Sequence, residues 1–227
     1  MSESFILSAF LAFSGGFQDA YTFICRDGVF ANAQTGNIVL MSTSFLQKDW
    51  AMGMRYLYPV LAFVVGVFIA DLVEKRFQKA HFLHWRQIVL IAEIAILFAV
   101  GFLPGKFNIL ANVLVSFSCA MQVQAFRTVG GGFHYATTMC VGNLRSGTEA
   151  LTEAVMEKSR DKFRKSLYYF AVIFIFALGA GAGAVLSMKT SRHIIWVSCG
   201  LLIIASLLMD LDRTKRKKKG TSDEEKK

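Results

Sequence analysis

A chain of 227 residues that is 54% hydrophobic, with 21 Phe and only two Pro, carries too much apolar side chain without strand-like alternation for a water-soluble domain. Its formal charge of +9 would suggest a nucleic-acid partner, but eight of the 25 Lys and Arg residues fall after Asp212 in "RTKRKKKGTSDEEKK", too polar a run to pack. Nucleic acid is therefore excluded as a partner, and the expected solvent is a lipid bilayer.

The N-terminal "MSESFILSAF" lacks a basic n-region and a cleavage site, so the first apolar stretch is expected to be kept. Six spans are expected, over Phe5–Cys25, Tyr56–Val73, Ile88–Leu103, Phe107–Phe126, Leu167–Met188 and Ile194–Met209. They should be helices, because an open sheet edge cannot be satisfied in lipid, so the fold class is all-α: a polytopic membrane helix bundle. On this count the segments on one side hold four, seven and eight basic residues, and those on the other hold three, one and two. The positive-inside rule then puts both termini in the cytoplasm, with 213–227 a basic disordered tail on that side.

Between the first two spans lies "FANAQTGNIVLMS", where Asn32, Gln34, Thr35 and Asn37 interrupt an apolar run around Gly36. The stretch has a partner. Sliding the chain by 106 residues sets Gln18 on Gln124, Thr22 on Thr128, Gly36 on Gly142, Asn37 on Asn143, Arg86 on Arg192 and Ile88 on Ile194. "QTGNI" thus aligns with "CVGNL", and Gly66-x-x-x-Ala70 aligns with Gly179-x-x-x-Gly183 at a slightly longer offset. The expected organisation is a 3+3 repeat, 1–105 and 106–212. An odd number of spans in each half turns the second upside down, as in secondary transporters whose site lies at the pseudo-two-fold. Residues 28–46 would enter from outside and 134–151 from the cytoplasm, as two short broken or re-entrant helices with free N–H groups facing a hydrated interior. The simpler alternative has both stretches capping helices outside the membrane.

The motifs "GGFQDAYTFI", "NAQTGNIVLMS" and "SFSCAMQVQAFRTVGGG…YATTMCVGNLRSGTEAL" make the chain resemble the YoaK-like family of bacterial multi-pass membrane proteins, a domain of unknown function. The resemblance covers nearly everything but the tail. It implies a bacterial cytoplasmic (inner) membrane protein with about six spans, and it supplies no reaction.

The polar residues must then indicate function. Asp19 is an acid inside a span, the default mark of a proton- or ion-linked role, though a cap on a broken helix near the outer interface would also use it. Its repeat equivalent is Ala125. Gln18, Gln122 and Gln124 can recognise a polar solute or bond between helices, and the second role is preferred for Gln122. Asn37 and Asn143, flanked by Gln34, Thr35, Gly36 and Gly142, are the paired half-helix starts. Arg145 and Glu149 stand four apart; they either draw an anion to the Asn143 start or form a surface bridge. Glu149, Glu153, Glu157 and Asp161 continue as a solvated face.

Gly130, Gly131 and Gly132 read as a hinge, and His81 and His84 as exposed residues too few for a metal. Asp71 and Glu93 read as span-end or helix-contact acids, and "GAGAG" (179–183) as close helix packing. Cys25, Cys119, Cys140 and Cys199 form no disulfide or zinc pattern. No nucleophile–base arrangement is present, so neither an enzyme nor a cofactor is expected. The expected function is transport of a small polar or anionic solute past Gln18, Asp19, Gln34, Thr35, Gly36, Asn37, Gln124, Gly142, Asn143 and Arg145. Proton coupling and self-association are left open, and a passive channel or a non-transporting scaffold or sensor are the alternatives.

Overall fold

The computed structural model describes residues 5–77, 85–127, 137–189 and 192–209. His81, His84, the three glycines 130–132 and the tail 213–227 lie outside the described residues.

Among the described residues all regular structure is helical, as expected. The helices are α1 (Phe5–Cys25), α2 (Gln34–Leu46), α3 (Trp50–Phe77), α4 (Trp85–Phe102), α5 (Asn108–Ala125), α6 (Cys140–Glu157), α7 (Arg160–Lys189) and α8 (196–209). Five segments are long and apolar enough to cross a membrane: Trp50–Phe77, Trp85–Phe102, Gly105–Ala125, Arg160–Lys189 and Arg192–Met209. They contain or closely overlap the second to sixth expected spans.

The first expected span coincides with α1 but falls short of that hydropathy. At 21 residues α1 is long enough, yet Ser8, Ser14, Gly15, Gly16, Gln18, Asp19 and Thr22 dilute its apolar content. All seven are buried. They need no lipid-like character because α1 is wrapped by protein. Large apolar side chains point outward from α3 (Leu61, Val64, Val65, Phe68) and α7 (Phe174, Leu178, Val185) instead, as a bilayer-facing surface requires.

Helices in lipid gain little from burying apolar surface, so backbone approach at small residues holds them together. Gly16 lies against the Phe176 carbonyl, Gly179 against that of Phe13 and Gly183 against that of Phe17, joining α1 to α7. Gly66 lies against the Phe117 carbonyl and joins α3 to α5. Thus "GAGAG" packs closely, as read from the sequence. The short α2 packs on α3, with Phe45 over Gly53, and α6 packs on α7, where Ser166 donates to the Gly147 carbonyl at 2.7 Å. Helix α4 joins α5 and α8, and Trp196 donates to the Phe98 carbonyl at 3.1 Å.

A polar clamp closes one end of this bundle. Arg26, just past α1, is 0% exposed. Its guanidinium donates to Tyr21 Oη at 2.9 Å, the Val100 and Leu103 carbonyls at 2.9 Å and Asn108 Oδ1 at 3.0 Å. The Arg26 carbonyl accepts from Asn112 Nδ2 at 2.7 Å. A cation here complements the negative C-terminal end of α4, where the Val100 carbonyl also accepts from the Leu103 N–H at 3.1 Å.

Candidate functional site

Helix α2 has 13 residues, about 20 Å of helix and too little to cross. The chain before it doubles back along α1. Asn32 donates its backbone N–H to Asp19 Oδ1 at 2.6 Å and its Nδ2 to the Gly15 carbonyl at 3.2 Å. The N–H groups of Ala31 and Ala33 also face the Asp19 carboxylate. Asp19 therefore fills the positive N-terminal end of α2.

Asn37 completes this start from within α2. Its Oδ1 accepts from the Phe30 N–H at 3.0 Å, and its Nδ2 donates to the Phe30 carbonyl at 2.7 Å and to Gln34 Oε1 at 3.0 Å. Gln34 in turn donates to the Ala31 carbonyl at 2.7 Å. The amide thus mimics a strand partner for Phe30, whose ring lies on Gly36 and stacks on Phe23 at 4.8 Å. Thr35 is exposed.

The start of α6 reaches the same place. The Thr138 methyl occupies the space a Gly15 side chain would need, and the Asn32 amide borders the same space. Asn32, just ahead of α2, and Thr138, just ahead of α6, therefore meet on α1 one turn before Asp19. Thr137 and Thr138 are buried, and their hydroxyls have no hydrogen-bond partner among the described residues. Asn143 is buried and partnered.

Arg145 is elsewhere. Its side chain is 82% exposed and pairs with Glu149 at 2.8 Å, the surface bridge of the two readings. Both line an open groove of about 690 Å³ along the outer face of α6, whose lining residues all belong to that helix. Gly142 is exposed with nothing near it, and Gln124 is half-buried towards the end of α5. Of the expected pathway residues, the structure gathers Gln18 and Asp19 at the junction and sets Gln34 and Asn37 behind it as braces. Thr35, Gly142 and Arg145 face outward.

Beside Asp19 lies a second polar cluster, centred on a residue the sequence undervalued. Glu93 is 0% exposed. Gln18 Nε2 donates to Glu93 Oε1 at 3.1 Å and to Ser14 Oγ at 3.1 Å, while Cys119 Sγ donates to Gln18 Oε1 at 2.9 Å. With its Nε2 turned to the carboxylate, Gln122 donates to both Glu93 oxygens, at 2.9 and 3.2 Å. Gln122 is thus an interhelical bonder. Glu93 sits at mid-helix and not at a span end. An acid centred in an apolar run was the signal for it, obscured because the aligned position in the other half is Cys199. Among the described residues no group of His, Cys, Asp or Glu could hold a metal ion.

Five helices able to cross a bilayer and an apolar exterior around a core that also holds buried polar clusters define a multi-pass membrane protein. Residues 7–208 match the family model described as protein of unknown function DUF1275, and the chain belongs to that family. It is similar to the UPF0700 transmembrane protein YoaK of Bacillus subtilis (strain 168), with 26% identity over 216 residues, 89% of this chain and 92% of that one. The family resemblance carried by the motifs therefore holds. No solved structure matches.

Proposed function

We propose that this protein transports a small polar or anionic solute across a bacterial cytoplasmic membrane, with both ends of the chain in the cytoplasm. Two repeats of three spans, with α1 as the sixth span, lie in opposite orientations. Helices α2 and α6 enter from opposite faces as half-helices, and the solute binds where their starts approach each other. The observation that carries this reading is the meeting of Asn32 and Thr138 on Gly15.

The packing supports duplication. Exchanging α1 with α5, α2 with α6 and α3 with α7 turns the α1–α7 contact into α5–α3, and α2–α3 into α6–α7. Gly179 on the Phe13 carbonyl corresponds to Gly66 on that of Phe117. In this register the counterpart of Gln18 is Gln122, two residues from the Gln124 of the sequence alignment, and both glutamines reach Glu93. The preference for an anionic group comes from a difference between the halves. Asp19 neutralises the start of α2, whereas its counterpart on α5 is uncharged, Val123 in this register and Ala125 in the sequence alignment, and the start of α6 has the buried hydroxyls of Thr137 and Thr138 to offer.

Uptake into liposomes holding the full chain, with radiolabelled amino acids, short carboxylates and inorganic anions as probes, tests the proposal. Saturable uptake of at least one probe is expected, reduced about tenfold or more in Gly15→Val, a loss of about 1.4 kcal/mol or more in transition-state terms. Arg145→Ala should transport normally. Flux without saturation would make the protein a channel. No flux above protein-free liposomes would overturn the reading; a scaffold would instead tolerate Gly15→Val and fail on removal of 213–227.

A further inference from the structure

Glu93 lies half-way along α4, fully buried, and no Lys, Arg or His among the described residues pairs with it. Amides and thiols face it instead. Gln18 arrives from α1, Gln122 and Cys119 from α5, and Cys199 from α8. Helix α3 sets no titratable group against it among the described residues. Asp19, the other acid that acts on Cys119, is held by backbone N–H groups at the start of α2.

Those two acids are held in different ways. Backbone N–H groups can only donate, so the surroundings of Asp19 satisfy a carboxylate. A side-chain amide both donates and accepts. With Glu93 ionised, the Gln18 and Gln122 amides both donate to it. With Glu93 protonated, its O–H can donate to an amide oxygen once that amide rotates. The pair of glutamines therefore satisfies both protonation states at a depth where an unsatisfied group is costly.

We propose that Glu93 is the proton-binding group of this protein, taking a proton from the aqueous phase and releasing it again between the amides of Gln18 and Gln122. Only an O–H bond forms and breaks. In the transport reading, on which this consequence rests, that proton is the coupled ion. Gln18 immediately precedes Asp19, which holds the start of α2, so re-pairing at Glu93 acts directly on the solute junction.

Infrared difference spectra of the full chain in liposomes, with no solute present, read this directly. Between about pH 9 and about pH 7 exposed carboxylates stay ionised, so a protonated-carboxyl band that grows on acidification comes from a perturbed acid. The band is expected in the wild-type chain, lost in Glu93→Gln, kept in Asp19→Asn, and kept at a displaced frequency in Glu93→Asp, which retains a carboxyl. No such band in the wild-type chain, or the wild-type band unchanged in Glu93→Gln or Glu93→Asp, would overturn the proposal. The test is independent of flux. A Glu93 band in a protein that moves no probe removes transport and leaves proton binding; saturable uptake without that band does the reverse.

Discussion

Arg26→Ala should lower the stability of the folded bundle by about 4 kcal/mol, because it strands several buried acceptors, each costing about 1–3 kcal/mol when left unmade. The guanidinium spans the end of α1, the Val100 carbonyl in the last turn of α4, the Leu103 carbonyl just past it and the first residue of α5, so its loss unpins three helices together. In detergent the melting temperature should fall by about 10 °C. Arg26→Lys keeps the charge but lacks the planar fork that reaches Tyr21, Val100, Leu103 and Asn108 at once, and it should recover less than half of the loss. Melting of either variant at the wild-type temperature would show that the clamp contributes nothing.

The second large effect separates glycines only two residues apart. Gly179 and Gly183 face α1, where an added Cβ would run into the Phe13 carbonyl in one case and crowd the Phe17 backbone in the other. Gly181, between them, has nothing within 4 Å. Gly179→Val should therefore cost about 3 kcal/mol or more, since two backbones must separate and overpacking alone costs about 1–3 kcal/mol. Gly181→Ala should be neutral, or stabilising by up to about 1 kcal/mol through helix propensity. Thermal unfolding of the two variants side by side gives the answer. Equal effects would mean that α1 and α7 do not touch through this stripe.

The features legible in the sequence were those that repeat or interrupt an apolar run. Apolar runs gave the helices, "GAGAG" gave a close contact, and Gly36-Asn37 and Gly142-Asn143 marked the first turns of two further helices, of which α2 has 13 residues and α6 has 18, as many as α4. Residues whose meaning depends on a partner helix were harder to read. Arg26 counts as an ordinary loop charge in any tally of basic residues, yet it is fully buried. Glu93 was undervalued because its partners, Gln18 and Gln122, come from the two helices that an alignment by identity pairs as Gln18 and Gln124. Asn37 reads from the sequence as a pathway residue, and the bonds of its amide to Phe30 and Gln34 depend on a turn of chain that no motif specifies. Single-helix hydropathy also undervalued α1, which is polar because protein and not lipid surrounds it.

The proposal depends on α2 and α6 beginning against the same turn of α1. With the four native cysteines replaced by serine, Asn32→Cys/Thr138→Cys in native membranes should be joined within one chain by a short bifunctional thiol reagent. The control pair Asn32→Cys/Val141→Cys, whose second position is 80% exposed, should not be. A cross-link confined to 32–138 is the predicted result. Failure of that pair to react, or equal reaction of both, would contradict the shared junction and the solute site built on it.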